Sequence, residues 1–482
     1  MKKTAPYFVG ITLWLFFSIY QNGFDSPDEH FPTLEAAAGL LFSNWSETWE
    51  WRQGLRSWVQ PFFIYFTIKP FVIIGIDNRL WLDAIARIAN SIFLIPAIWA
   101  VGRIVQQTWT PSDSKTIRAS QLFFALSWPL VTWGTRHGSD TFAIPFLLCG
   151  FAFFLNAFRR RDAVIAGLLL GFAFCVRYTL GVIIFSGVLL WFLYSPDKKI
   201  FGRYLLLTIL SGLCVVTLLL GFDALLYFRF IGVFKIPAIE FFKFNVISGS
   251  GWFHASPWWE LIAYFAVLWI PVFGWLFSLH PNNLKRLKDR SGWALGLTLI
   301  SLAVFSSIRH KELRFIFPIL PFSIIASVPL IVNRKFYLRL SLIINCLMLL
   351  VVILVYSEPH GALVRSLDKA TTLTSATDST LILAELDGPI PRFYMRKPLK
   401  LKIIDSETWK QVCAGDWNKL TQEGIDAKTG ITVVAKKACK LSDKSACDLL
   451  FTTPANLGHK LRQLVSETVL PGFIYRCSRI PN

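Results

Sequence analysis

Apolar stretches long enough to cross a bilayer recur at about eleven places along this chain, separated by short polar turns. Nothing else in the sequence restricts the fold as much. A backbone surrounded by lipid must satisfy its own hydrogen bonds, and only helices or a closed barrel do so. The runs are continuous rather than alternating, so helices are expected, at 6–24, 80–106, 119–135, 139–158, 163–177, 179–194, 204–228, 258–279, 292–308, 314–332 and 338–356. With 54% of its 482 residues hydrophobic and 16% charged, the chain does not read as a soluble protein. The first run follows Met-Lys-Lys, but "SIYQNGFDS" after it holds no small-x-small cleavage pattern, so it is expected to remain as the first span.

The loops supply an orientation. "RRRD" (159–162), "PDKKIFGR" (196–203), "NLKRLKDR" (283–290) and "NRKFYLR" (333–339) alternate along the register and are all basic, which assigns them to the inner face. An odd number of spans then carries everything after about residue 357 to the outer face. The +19 net charge is spread over these clumps and forms no groove-lining patch, so no nucleic-acid partner is expected.

Residues 1–356 read as the membrane domain, with outer loops at 25–79 and 229–257, and residues 357–482 read as a second, extracytoplasmic domain. Alternating stretches there, "STLILAEL" and "ITVVAKK", predict a small α/β fold. Cys149, Cys175, Cys214 and Cys346 lie in spans as small apolar residues. Cys413, Cys439, Cys447 and Cys477 lie in the tail, where two disulfides would allow three connectivities. No metal-ligand spacing such as CxxC or HExxH occurs, and no metal or cofactor is expected.

Chemistry concentrates in the loops assigned to the outer face. In "DSPDEHFPTLEAA" (25–37), Ser26 can cap a helix, Pro27 suits its first position, and Glu29 stands where a capping box needs it. Phe31, Leu34 and Leu41 then form an apolar stripe. If Glu29 closes that box, Asp28 projects from the first turn, where backbone amides favour its ionised form. An ionised carboxylate is what a general base needs to take a hydroxyl proton. Asp28 is therefore the candidate base, and Glu29 the alternative. "ETWEWRQGLRSWVQP" (47–61) sets Trp49, Trp51 and Trp58 among Glu50, Arg52 and Arg56, which reads either as interfacial anchoring or as a surface for stacking sugar rings.

Cations beside these acids are unusual on an outer face. "RHKELRFIFPILP" (309–321) carries His310, Lys311 and Arg314, and Arg177 interrupts the apolar run "FAFCVRYTLGV". They read either as snorkelling groups or as a clamp on a phosphate, with lysine as point charge and arginine as fork. Arg136 and His137, in "RHGSD", are weaker candidates. "IEFFKFNVISGSGWFHASPWWEL" (239–261) offers Lys243, Asn245 and His254 around a Ser-Gly-Ser-Gly turn, or is an ordinary re-entry loop.

Together, "PDEHFPTLEAA" with "TWEWRQGLRSW", "FFKFNVISGSG" before "SPWW", and "RHKELRFIFPILP" resemble glycosyltransferase family 22, the mannosyltransferases of GPI-anchor and asparagine-linked glycan assembly. "CVRYTLG" and Asp223 fit its pattern more loosely, and the likeness covers about residues 24 to 330. The first motif is nearest the GPI mannosyltransferases. The resemblance implies an all-α polytopic membrane protein of GT-C type and a polyprenyl-phosphate-linked mannose donor. It also implies a glycan or glycolipid acceptor and inverting transfer on the periplasmic or lumenal side. By that likeness Asp28 and Glu29 are catalytic, and His310, Lys311, Arg314 and Arg177 hold the donor phosphate. Glu50, Trp51, Arg56, Asn245, His254 and Trp258 contact substrate. One departure touches the acceptor: the family's His-Pro-Trp-His-Trp-Tyr appears here as Ser256-Pro257-Trp258-Trp259-Glu260-Leu261, without either histidine.

Two other classes compete. A lipid-glycan flippase would show paired broken helices in two halves and charges near the midplane, whereas these charges lie near span ends. A non-catalytic subunit holding a carrier lipid would need the same clamp and no base. The compact chain and its "MKK" start favour a bacterial inner membrane, while the "NWS" sequon at 44–46 suits the endoplasmic reticulum.

Overall fold

The computed structural model describes residues 4–356, apart from 25, 44, 110–111, 157–158, 196–197, 248–255 and 272–273. It then describes 361–373, 380–384, 390–396, 400–414, 416, 420, 431–435, 447–452 and 473–477. Helices occur at each of the eleven expected places, but many are broken. Among the described residues, four are long and apolar enough to cross a membrane: Arg79–Thr108, Phe201–Ile231, Leu313–Ile331 and Lys335–Leu354. A fifth is obtained if Trp128–Gly134 and Ser139–Phe154, which bend by 111° across a short break, count as one. Ala5–Tyr20, Val59–Ile73 and Leu180–Tyr194 are apolar but shorter.

The expected outer loop 25–79 is largely helical, with Pro27–His30, Ala36–Phe42, Trp49–Gln53 and Val59–Ile73. The sequence hides the last of these because Pro61, Lys69 and Pro70 interrupt a run too short to span. Pro61 lies in the first turn, where its missing N–H costs nothing.

The chain packs as two compact units, one of residues 1–18, 49–63 and 87–350, the other of 19–48, 64–86 and 351–482. In the first, the helix Arg160–Val176 lies along Lys198–Ile231 with almost no side chain between them. A Cβ on Gly167 would collide with the Thr208 carbonyl and the Ser211 hydroxyl, and one on Gly171 would stand 2.7 Å from the Gly212 oxygen. Small residues four apart let helices approach closely in lipid, where hydrophobic burial cannot drive them together. Thr208 adds a hydrogen bond from its hydroxyl to the Ala163 carbonyl, 3.1 Å.

In the second unit, β1 (Thr380–Ala384), β2 (Lys400–Ile404), β3 (Ile431–Ala435), β4 (Cys447–Thr452) and β5 (Phe473–Cys477) form one sheet in the order β2-β1-β3-β5-β4. β1 is parallel to both β2 and β3, while β5 runs antiparallel to β3 and β4. Together with the helices Gly361–Leu373 and Ser406–Cys413, this is the expected α/β tail, and "STLILAEL" and "ITVVAKK" supply β1 and β3. Cys413 is disulfide-bonded, and Cys149, Cys175, Cys214 and Cys346 are free thiols. Cys439 and Asn44 of the sequon lie outside the described residues.

Candidate active site

The acidic stretch belongs to the second unit. It is helical from Pro27 to Phe42, but the middle is widened: Phe31–Glu35 is a π turn between two α segments. Pro32 accounts for this, because a proline ring inside an α-helix clashes with the carbonyl four residues before it. The expected capping box is not formed. Ser26 has the extended backbone of an N-cap (φ −132°, ψ 154°) and Pro27 follows it at the first position, but the Ser26 hydroxyl makes no capping bond. Glu29 is packed inward at 7% exposure rather than turned back to the cap, and its backbone N–H donates to the Ser26 carbonyl at 3.1 Å. Asp28 stands half-exposed on the same turn.

Two residues that the sequence reading passed over organise this stretch. Glu35 is fully buried, and both its oxygens are used. Oε1 accepts from the backbone N–H of Ser46 at 2.9 Å and of Arg392 at 3.0 Å, and Oε2 accepts from Phe393 N–H at 3.0 Å. His30 Nε2 lies 3.0 Å from the same Oε2. The π turn makes that contact possible, since i to i+5 bonding brings residues five apart onto one face. The His30 ring stacks on Phe24 (4.7 Å between centroids) and on Tyr394 (5.5 Å), and the Tyr394 hydroxyl donates to Asp83 Oδ2 at 2.8 Å. A carboxylate on the apolar side of a helix was the available signal.

The cations belong to the first unit, and there the separate motifs converge. Arg177 caps the C-terminus of Arg160–Val176 and is 6% exposed. Its Nε donates to Asp140 Oδ1 at 2.8 Å, while Arg314 Nε approaches Asp140 Oδ2 at 3.9 Å. Arg314 also pairs with Glu312, whose other oxygen is 2.8 Å from His310 Nε2. Lys311 is buried at 8% exposure, and its ammonium donates to the carbonyls of Ser256 (2.9 Å) and Ile308 (2.7 Å). Arg177 and Arg314 thus meet two carboxylates, and Lys311, on the same turn as Arg314, adds a third positive charge held by carbonyls. Asp140, the junction, went unnoticed in sequence, although "RHGSD" stood among the outer motifs. Its helix, Ser139–Phe142, follows the sharp bend that holds Arg136 and His137, both buried.

Of the three tryptophans in 47–61, Trp49 is exposed and the other two are core. Trp51 and Trp58 are 0% and 1% exposed, 4.3 Å apart, and both pack on Tyr227. Trp51 therefore has no ring face to offer a sugar, and neither tryptophan anchors at an interface. The segment is fixed from below by Asp223, whose Oδ1 accepts the Trp58 N–H at 2.8 Å, and by Tyr227, whose hydroxyl donates to the Arg56 carbonyl at 2.8 Å. Glu50 and Arg56 pair with each other at the edge of this core. Asn245 is exposed and donates to the Phe241 carbonyl at 2.9 Å, Trp258 is 67% exposed, and His254 lies outside the described residues. Among the described residues, no three His, Cys, Asp or Glu side chains come together as metal ligands would.

The helical architecture with its C-terminal sheet is of GT-C type. Two crystal structures of ArnT from Cupriavidus metallidurans share it. The apo form superposes with a TM-score of 0.62 at 12% identity, covering 98% of this chain and 97% of that one. The form bound to undecaprenyl phosphate gives 0.60 at 11% identity, covering 98% of each. At sequence level the Alg9-like mannosyltransferase family matches residues 6–374, and the chain belongs to that family. Mannosyltransferase APTG1 of Arabidopsis thaliana is 28% identical over 319 residues, 63% of this chain and 54% of that protein. GPI alpha-1,2-mannosyltransferase 3 of Mus musculus is 28% identical over 304 residues, 62% of this chain and 53% of its own length. The chain spans about half the length of the curated relatives it matches.

Proposed function

We propose that this protein is an inverting mannosyltransferase that moves mannose from a polyprenyl-phosphate carrier to a glycan or glycolipid acceptor on the extracytoplasmic face of its membrane. That face is the periplasm in a bacterial inner membrane and the lumen in an endoplasmic reticulum. The observation that carries the reading is the convergence of Arg177 and Arg314 on Asp140, beside Lys311, in a chain of the Alg9-like family. Such a cluster, with one positive charge in excess, suits a phosphate that gains charge as its ester bond to the sugar breaks. Asp28, or Glu29 in its place, takes the proton from the acceptor hydroxyl as that oxygen attacks the anomeric carbon from the side opposite the phosphate. Polyprenyl phosphate leaves as a stable anion, so no general acid is needed. Arginine forks match phosphate oxygens, and Lys311 stiffens the turn that presents Arg314.

The test is an assay with labelled polyprenyl-phosphate-mannose and purified protein. Release of polyprenyl phosphate in proportion to mannosylated acceptor supports the reading, and movement of intact donor without release supports a flippase. Asp28→Asn abolishes transfer while donor binding persists. An active Asp28→Asn with an inactive Glu29→Gln moves the base by one residue, and activity in both variants refutes the mechanism.

A further inference from the structure

A polar cavity of about 630 Å³ lies in the first unit. It is bounded by Thr108 and Trp109 at the end of one helix, Ser112 at the start of the next, the turns carrying Arg286 to Ser291, and Asn333. Its size falls within the roughly 300–1,000 Å³ of small-ligand sites. Its walls come from "NLKRLKDR" and the start of "NRKFYLR", two of the basic loops that the charge pattern assigns to the inner face.

The two arginines in this cavity are held in an unusual way. Arg286 lies over the Trp109 ring at 4.7 Å, and Arg290 over the Trp191 ring at 5.1 Å. The Trp109 indole N–H donates to the Ile325 carbonyl at 3.1 Å, which fixes the plane that Arg286 rests on. Neither guanidinium makes a side-chain hydrogen bond or an ion pair among the described residues. Stacking orients a guanidinium and leaves its in-plane N–H donors unused. The two lining carboxylates do not serve them. Asp113 accepts the Thr116 N–H at 2.7 Å, and Asp289 accepts from the Ser291 N–H and hydroxyl at 2.7 and 2.6 Å. The lining thus holds two arginines and two acids, and the exposed Lys285 and Lys288 on the same turn, with Lys115, whose ammonium donates to Asn333 Oδ1 at 3.0 Å, add positive charge outside it.

We propose that this cavity binds the phosphodiester headgroup of an anionic phospholipid. Two pre-oriented forks with idle donors, flanked by hydroxyls and indoles at the ends of membrane helices, fit a phosphate whose acyl chains continue into the bilayer. A zwitterionic headgroup offers the same phosphate but brings its own cation into a surplus of positive charge. The assignment is independent of the transfer reaction.

The experiment measures lipid retention by native mass spectrometry of the full chain released from nanodiscs of equal phosphatidylglycerol and phosphatidylcholine. The wild type retains phosphatidylglycerol in preference, and Arg286→Gln with Arg290→Gln lowers that preference about 30-fold, from two surface cations acting together. Equal retention of the two lipids by the wild type overturns the proposal, and so does an unchanged preference in the double variant. A photoreactive phosphatidylglycerol headgroup provides a measurement on the unmodified protein: crosslinks to Thr108, Trp109, Asn333 or residues 286–291 support the site, and crosslinks confined elsewhere overturn it. Displacement of the lipid by millimolar inorganic phosphate overturns the lipid assignment and leaves a free-phosphate site.

Discussion

Replacing Glu35 by alanine gives the sharpest reading of how the acidic stretch is held. The substitution removes the acceptor for three backbone N–H groups, on Ser46, Arg392 and Phe393, and for the His30 ring. A buried donor left without a partner costs about 1–3 kcal/mol. Water can reach Ser46 and Arg392, whose bonds are only partly buried, whereas the Phe393 bond is fully buried. The Phe393 amide therefore carries the largest expected effect. Hydrogen exchange followed by mass spectrometry reads it directly: protection at Phe393 falls by about 5-fold to 150-fold, the range that this energy spans at room temperature. Peptides from the first unit keep their protection. Glu35→Gln retains one oxygen acceptor and falls between. Unchanged exchange over 390–396 in Glu35→Ala would refute the claim that this carboxylate secures the turn.

Asp140→Asn strips the shared counter-charge from Arg177 and Arg314, and thermal unfolding in detergent should show a loss of about 3–5 kcal/mol, as for other buried pairs broken on one side. Adding Arg177→Gln should recover part of it, so the double variant loses less than the sum of the singles. Trp51→Ala is expected to lose about 3–5 kcal/mol of stability through its packing on Trp58 and Tyr227. A variant of unchanged stability but raised KM would return Trp51 to the substrate. Gly171→Leu pushes a side chain into the Gly212 backbone, and reduced recovery of folded protein from membranes, relative to Gly221→Leu in open space, is the expected result.

The sequence made the helical membrane architecture legible because every apolar run must be folded on itself in lipid, and the tail showed its strands through alternation. It did not reveal that residues 59–73 form a helix, because two prolines and a lysine obscure a short apolar run. The cations Arg177, Lys311 and Arg314 were conspicuous because charge beside lipid is costly. Their partner Asp140 was not, since an acid in a polar turn needs no explanation until an arginine is seen on it. Trp51 misled for a related reason: aromatic residues near a membrane end look alike whether they face lipid, sugar or core. Glu35 was overlooked because two of its donors come from residues more than three hundred and fifty positions away, at Arg392 and Phe393.

The widened turn at 31–35 gives the acidic stretch a built-in slack in chain length. It holds one residue more per hydrogen-bonded ring than the α-helix around it. Deleting a single residue there would restore ordinary winding at little local cost. The widened turn sweeps about the same angle with five residues as an α-helix does with four, so everything on the N-terminal side would keep its bearing relative to Ala36–Phe42. His30 and Glu35 would then stand four apart on one face, as α-helical neighbours do. The same deletion inside Ala36–Phe42 has no such slack, and there the preceding segment would turn by about 100°, an outcome set by phase alone.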